Sequence, residues 1–172
     1  RPTFRNYQHQ PNDTFSLPGN KVLAIYEDSG SEGNRLWVTT LNGFCLAEID
    51  DQLNINFRQI ELSEGESSSI ADNTVLNVYQ DAVRKVLWLG TFGGGLIRFD
   101  PKTGSINRIT KQQGLPNNIV HAVTSESKTH LWISTNQGLA RFNPDDPARA
   151  VFHYNLSDGL QSDIFTANAV LK

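Results

Sequence analysis

The 172-residue sequence predicts an all-β fold: four-stranded antiparallel blades, three full ones with a flanking strand at each end, forming part of a β-propeller. Three observations lead there. Three tryptophans recur in one setting, Leu36-Trp37-Val38-Thr39-Thr40, Leu87-Trp88-Leu89-Gly90-Thr91 and Leu131-Trp132-Ile133-Ser134-Thr135. They lie 51 and 44 residues apart, near the roughly 40–50 residues of a four-stranded blade. Around them run short stretches of alternating polarity, punctuated by Gly, Pro and Asn, and no stretch of about eleven residues keeps a helical period.

Taken in order, residues 1–15 hold Phe4-Arg5-Asn6-Tyr7, expected as the last strand of a preceding blade. Blade 1 covers residues 16–62: Leu17-Pro18-Gly19-Asn20, a first strand from Val22, the Trp37 strand, a Gly43-led strand closed by Asp50, and Phe57-Arg58-Gln59-Ile60. Blade 2 covers residues 63–110. It starts with a polar insertion, Glu64-Gly65-Glu66-Ser67-Ser68-Ser69, then Ile70-Ala71-Asp72-Asn73 and Val75. The Trp88 strand follows, then residues 94–99 closed by Asp100, then Ile106-Asn107-Arg108-Ile109. Blade 3, residues 111–156, repeats the order with Leu115-Pro116-Asn117-Asn118, Val120, Trp132, a Gly138-led strand closed by Asn143, and Phe152-His153-Tyr154. A shorter insertion lies at residues 145–149. Residues 157–172 open a following blade, with Gly159-Leu160-Gln161-Ser162-Asp163 ahead of a first strand near Phe165. Such an open arc exposes strand edges and an apolar blade face, so self-association and contact with the remaining blades of a parent protein are expected.

Composition narrows the function. Hydrophobic residues make up 38% and no apolar run is long enough for a spanning helix. The net charge of -3 without a cationic cluster argues against nucleic acid as a partner. The single cysteine, Cys45, excludes an intrachain disulfide and a cysteine-based zinc site. The chain starts at Arg1 with no signal-peptide pattern, and reads as a piece of something longer.

The recurring residues have structural readings first. One tryptophan per blade, at one strand position between apolar neighbours, suggests packing between adjacent sheets. Gly90, Gly93, Gly94, Gly95 and Gly138 read as hairpin-turn residues. Gly93-Gly94-Gly95 lacks the Lys-Ser/Thr of a phosphate-binding loop. Asn20, Asn73, Asn118 and Asp163 recur just before first strands, where their side chains can cap a turn. The same loops would ring one mouth of a propeller, and turns after second strands reach the same end. Asn20, Asn73, Asn118, Phe92, Asn136 and Gln137 are therefore the candidate ligand-binding residues.

The four histidines show no metal-ligand spacing. His9 and His153 fall in fourth strands, His130 in a turn, and His121 replaces the Leu23 and Leu76 of the other first strands. Asp145 and Asp146 form an adjacent pair in a Pro-flanked loop, expected to be solvated. No Ser/His/Asp, Cys/His or paired-carboxylate constellation is found, so no catalytic residue, metal or cofactor is expected.

The repeat resembles the two-component regulator propeller repeat, roughly Leu-Trp-Ile-Gly-Thr, Gly-Gly-Leu, Arg-Phe-Asp and Gly-Leu-Pro-Ser-Asn. Blade 2 and the junction after it match best: Leu87-Trp88-Leu89-Gly90-Thr91, Gly94-Gly95-Leu96-Ile97-Arg98-Phe99-Asp100 and Gly114-Leu115-Pro116-Asn117-Asn118. Blade 3 carries Ser134 for the usual glycine, and blade 1 carries Thr39 there and Phe44-Cys45-Leu46 in place of Gly-Leu. The resemblance covers almost the whole chain. It implies a non-catalytic sensor region of a bacterial signalling protein, in the periplasm, with the parent anchored in the inner membrane. It further implies a small polar ligand such as an oligosaccharide, and a histidine kinase or diguanylate cyclase as output. Two other classes stand beside it: an enzymatic propeller of the streptogramin-lyase type, which needs acid/base or metal groups converging on one mouth, and a protein-binding scaffold.

Overall fold

The computed structural model describes residues 4–30, 33–62, 74–146 and 152–169. The chain divides into two compact units, Arg1–Leu62 and Ser63–Lys172.

The first unit is one antiparallel sheet in the order β1(Val22–Glu27), β2(Arg35–Thr40), β3(Gly43–Ile49), β4(Ile55–Ile60). Its hairpins are made by side chains that close their own turns. Thr40 Oγ1 accepts from Asn42 N at 3.2 Å in the β2–β3 turn. Asp50 Oδ1 accepts from Gln52 N and Asn54 N at 2.9 and 2.8 Å in the next one. Side-chain and backbone bonds from Asn54 hold the Asp50 carboxyl below its usual range. The period-2 alternation sorts residues onto two faces. On one, Trp37 stacks on Phe44 with ring centroids 5.2 Å apart. On the other, Val38, Cys45, Ala47 and Phe57 pack with Leu17, Tyr7 and Leu36. Burial pushes the Cys45 thiol up to about 12, which makes it a core residue and a poor nucleophile.

The second unit holds two sheets. One runs β5(Val75–Asp81), β6(Val86–Thr91), β7(Leu96–Phe99), β8(Ile106–Ile109); the other runs β9(Val120–Ser125), β10(Leu131–Thr135), β11(Gly138–Phe142), β12(Phe152–Tyr154). All neighbours are antiparallel. The sheets share a core. Trp88, Leu96 and Ile109 of the first meet Val120, Val123, Ile133, Ala140 and Phe142 of the second, with Leu115 of the linking loop. Trp88 and Phe142 meet edge-on at 5.8 Å. Asn77 on β5 accepts from Val123 N on β9 at 2.9 Å.

Gly90 was expected in a turn but lies within β6. A Cβ there would come 2.8 Å from Val120 O and 2.9 Å from Val120 Cγ1, so the missing side chain is what lets β9 approach. Gly95 is the turn glycine: its φ is +78°, and a Cβ would meet Ile109 O at 2.3 Å.

Among the described residues of the expected flanking segments no strand forms. Residues 4–10 carry no strand. The Tyr7 ring meets Phe57 edge-on at 5.6 Å, and the Arg5 guanidinium donates to Leu53 O and Asn54 Oδ1 at 3.1 and 2.7 Å. His9 accordingly lies outside any strand. Residues 160–169 carry no strand either; Ala169 N closes a turn on Thr166 O. A strand is defined by its ladder, and no described strand lies beyond β4 or β12 to supply one. Of this segment Tyr7 packs against the core, while Phe4 is exposed. The insertion at residues 64–69 and the marker at residues 70–73 lie outside the described residues.

Candidate functional site

Turns that follow second strands and loops that precede first strands fall at one end of each sheet, because each strand reverses the last. The register shows it: Val75 faces Thr91 and Val120 faces Thr135.

In the second unit this end is built by one device used twice. Thr110 caps a short 3-10 turn, Lys111–Gln113, which Gly114 ends in the left-handed region. The chain then returns so that Asn118 Oδ1 accepts from Lys111 N at 2.8 Å, while Asn118 O accepts from Gly95 N at 2.9 Å. The second copy uses Asn155, Leu156–Asp158 and Gly159 in the same roles. Asp163 Oδ1 accepts from Leu156 N at 2.8 Å and Asp163 O from Gly138 N at 2.7 Å. In the first unit Asn20 Oδ1 accepts from His9 N at 2.7 Å. The carboxamide oxygens of Asn20 and Asn118 thus fasten their own loops, and Asn73 lies outside the described residues.

Phe92, Asn118, Asn136 and Gln137 share this end in the second unit. Phe92 is exposed and donates its N–H to Thr74 O at 3.0 Å, at the head of the turn tied to Asn118. Gln137 N donates to Thr135 Oγ1 at 3.0 Å. Asn136 Oδ1 lies 2.5 Å from His121 Nε2, which must donate to it. The register of each first strand slips at one position, Leu23, Leu76 and His121, so the histidine sits on a repeated β-bulge. Bulges re-aim side chains, and here the bulge delivers His121 to the rim. Around it run further polar bonds: Asn168 N donates to His121 O at 3.1 Å and Asn77 Nδ2 to Asn168 Oδ1 at 3.0 Å. The sequence flagged His121 as the odd residue at its position but gave no sign of Asn136 as its partner.

The opposite end carries what the sequence did not reveal. A cleft of about 230 Å3 lies between the β5–β6 and β9–β10 turns, lined by Tyr79, Asp81, Arg84, Ser125, Lys128 and Leu131 among others. Arg84 spans it. Its Nη1 donates to Asp81 Oδ2 at 3.0 Å, its Nε to Asp145 Oδ1 at 2.8 Å, and its Nη2 to Lys128 O at 3.0 Å and to Asp145 Oδ2. Trp88 Nε1 also donates to Asp81 at 3.2 Å. Burial opposes ionisation of Asp81, but the bonds from Arg84 and Trp88 outweigh it and hold its carboxyl below the usual range. Asp145 is held low by Arg84 as well. Expected as one of a solvated pair, Asp145 is exposed and is also an ion-pair partner, because the fold brings residue 84 to it.

The histidines are engaged locally. His9 Nδ1 and His153 Nε2 donate to Leu17 O and Gly114 O at 2.7 and 2.8 Å, and His130 Nδ1 lies 3.0 Å from Thr129 Oγ1. Among the described residues, no group of three His, Cys, Asp or Glu side chains is placed to hold a metal ion. Nor is any helix among them long and apolar enough to cross a membrane.

No family model matches the chain. It is 30% identical over 166 residues to "Histidine kinase P4" of Formosa agariphila, an alignment covering 94% of this chain and 11% of that protein. Among crystal structures, the extracellular domain ascribed to the hybrid two component system BT3049 from B. thetaiotaomicron aligns with a TM-score of 0.66 at 21% identity, over 92% of this chain and 19% of that one. The extracellular domain of BT4673 from the same organism, ascribed to a hybrid two component system, gives 0.66 at 24% identity over 86% and 19%. The chain thus spans about a tenth of the curated relative and about a fifth of the solved chains. Its fold, three four-stranded antiparallel sheets, is the one found in the extracellular domains of these bacterial signalling proteins, and its sequence is similar to a segment of a histidine kinase.

Proposed function

We propose that the three sheets are blades of a β-propeller, and that this chain is a non-catalytic, periplasmic ligand-sensing module of a bacterial two-component-type signalling protein. The observation that carries the reading is the alignment of 94% of the chain with a segment of a histidine kinase, joined to a fold shared with extracellular domains of signalling systems. The ligand class is an oligosaccharide or similar small polar molecule, and the output a kinase or cyclase domain elsewhere in the parent. The proposed contact residues are Phe92, Asn118, Asn136 and Gln137 at the first-strand end of the sheets of the second unit, Asn20 at the corresponding end of the sheet of the first, and Asn73 by its place in the sequence repeat alone. With the carboxamide oxygens of Asn20 and Asn118 fastening their loops, their NH2 groups are the donors left to meet ligand hydroxyls. The exposed ring of Phe92 offers an apolar platform for a sugar face. To signal, the ligand must favour one geometry of the parent over another.

Thermal unfolding against a panel of oligosaccharides tests this. A sensor shows a saturable rise in Tm, equivalent to about 2.7 kcal/mol at a hundredfold excess over Kd, with the sugar recovered intact. Depletion of the sugar, with or without added divalent metal, would instead assign an enzymatic propeller. A flat Tm across the panel removes oligosaccharides as the ligand class.

A further inference from the structure

The cleft between the β5–β6 and β9–β10 turns is built around a cation with one firm partner and one loose one. Arg84 lies in the β5–β6 turn, and its side chain is 13% exposed. Asp81, 3% exposed, answers its charge one for one: Oδ2 accepts from Nη1 at 3.0 Å, and Oδ1 accepts from the Arg84 backbone N–H at 3.0 Å. The other edge of the guanidinium gives both of its donors, Nε and Nη2, to Asp145. This is the side-on fork with which arginine grips a carboxylate through two oxygens. Asp145 is thus a second carboxylate on one cation, and its side chain is 61% exposed. Exposed ion pairs hold weakly, so the Nε–Nη2 edge is the one that can exchange its partner. The other two sheets show no need for such a pair. Asp28 and Glu126, at the positions of Asp81, pair with arginines of their own sheets, Arg35 and Arg141, whereas Arg84 reaches out of its sheet to Asp145.

We propose that this cleft binds a small hydroxylated carboxylate, whose carboxyl group takes the Nε–Nη2 edge of Arg84 in place of Asp145. The walls suit the rest of such a molecule. Tyr79 and Leu131 offer an aromatic and an apolar surface, and Val83, 59% exposed, stands at the edge. The Ser125 hydroxyl and the Lys128 ammonium line the same space and have no partner among the described residues. Lys128 O accepts from Arg84 Nη2 at 3.0 Å, which sets Lys128 beside the exchanging edge. Its ammonium adds a positive charge beyond the pair that Asp81 and Arg84 cancel, and so favours an anion. Exchange of one carboxylate for another leaves Arg84 as well paired as before, and Asp145 passes into the water it already faces. A volume of about 230 Å3 has room for one ring and excludes an extended chain. The site lies at the opposite end of the sheets from Phe92, Asn118 and Asn136, and it does not rest on the role proposed for that rim.

Calorimetric titration of the 172-residue chain with glucuronate, and with glucose as the uncharged control, tests this. The wild type should bind glucuronate weakly and saturably, and glucose not at all. In the wild type Asp145 competes from within the chain, at the high effective concentration of a tethered group. Asp145→Ala should therefore tighten glucuronate about tenfold or more. Arg84→Gln should abolish binding. Lys128→Gln changes an exposed side chain, so it keeps the site readable even where Arg84→Gln fails to fold, and it should weaken glucuronate several-fold. An affinity that Asp145→Ala leaves unchanged overturns the proposal, as does an Asp145→Ala variant that binds no glucuronate. Equal binding of glucose, or glucuronate binding that survives Lys128→Gln undiminished, overturns it as well, since neither the charge nor this cleft would then be what is read.

Discussion

The second and third sheets carry the same tryptophan at the same strand position between the same kinds of neighbour, yet treat it differently. Trp88 is 1% exposed, lies edge-on to Phe142 of the next sheet, and gives its indole N–H to Asp81. Trp132 is half-buried, with Tyr154 of its own sheet as its ring partner, tilted at 5.3 Å. Local sequence does not separate them. What separates them is that β9–β12 covers the Trp88 face, while Trp132 keeps part of its surface exposed. In a repeat protein the burial of a repeated residue belongs to its neighbour as much as to its own strand.

The sharpest way to break this comparison is truncation. Trp88→Ala should cost about 3–5 kcal/mol in urea unfolding, as full burial implies. Trp132→Ala, in dilute protein, should cost no more than about half as much, since the side chain keeps part of its exposure. Equal losses would mean that the face of the third sheet is covered after all.

Next in size is the carboxylate beneath Trp88. Asp81→Asn removes the charged acceptor of both the indole and Arg84, and about 1.5–3 kcal/mol should go with it. The third sheet has Glu126 at the equivalent site, paired with Arg141 at 2.6 Å on the surface, and its loss should cost about 0–1 kcal/mol. The Asp81 carboxyl titrates below its unfolded value near 3.9, so its contribution is complete above about pH 4 and is lost as pH falls through the folded value. An acid titration of Tm should therefore flatten at its low end in Asp81→Asn relative to wild type.

Smaller still is an exchange between the sheets. Gly90→Ser puts the residue of the third sheet into the second, where its Cβ meets a backbone carbonyl that cannot swing aside; about 1–3 kcal/mol should be lost. Asn118→Ala removes one loop-fastening bond and should cost about 1 kcal/mol. Ser134→Ala deletes a buried hydroxyl with no partner among the described residues and should leave stability within about 0.5 kcal/mol or raise it.

Much of this was legible in the sequence, for identifiable reasons. The twelve described strands follow from the Leu-Trp motifs, the Gly-led stretches and their spacing, because alternation and turn residues act locally. The capping of Asn118 was legible too, since the bond to Lys111 spans seven residues. Gly90 was not, because its reason lies in a strand thirty positions away that comes within contact only after folding. Phe4 and Tyr7 match a fourth-strand pattern, but a pattern cannot supply the neighbour whose ladder makes a strand. The Arg84 bridge to Asp145 was missed for a similar reason: neither residue repeats in the other sheets, and 61 positions separate them. His121 could be singled out by its departure from leucine, while its contact with Asn136 depends on the bulge.

The most direct test of the contrast between the two faces is iodide quenching of tryptophan emission in dilute wild-type protein. One of the three tryptophans, Trp132, should be accessible, giving a downward-curving Stern–Volmer plot whose quenchable part disappears in Trp132→Phe. Quenching that survives Trp132→Phe, or a wild type with no quenchable fraction, would contradict the assignment of a covered face to the second sheet and an open one to the third.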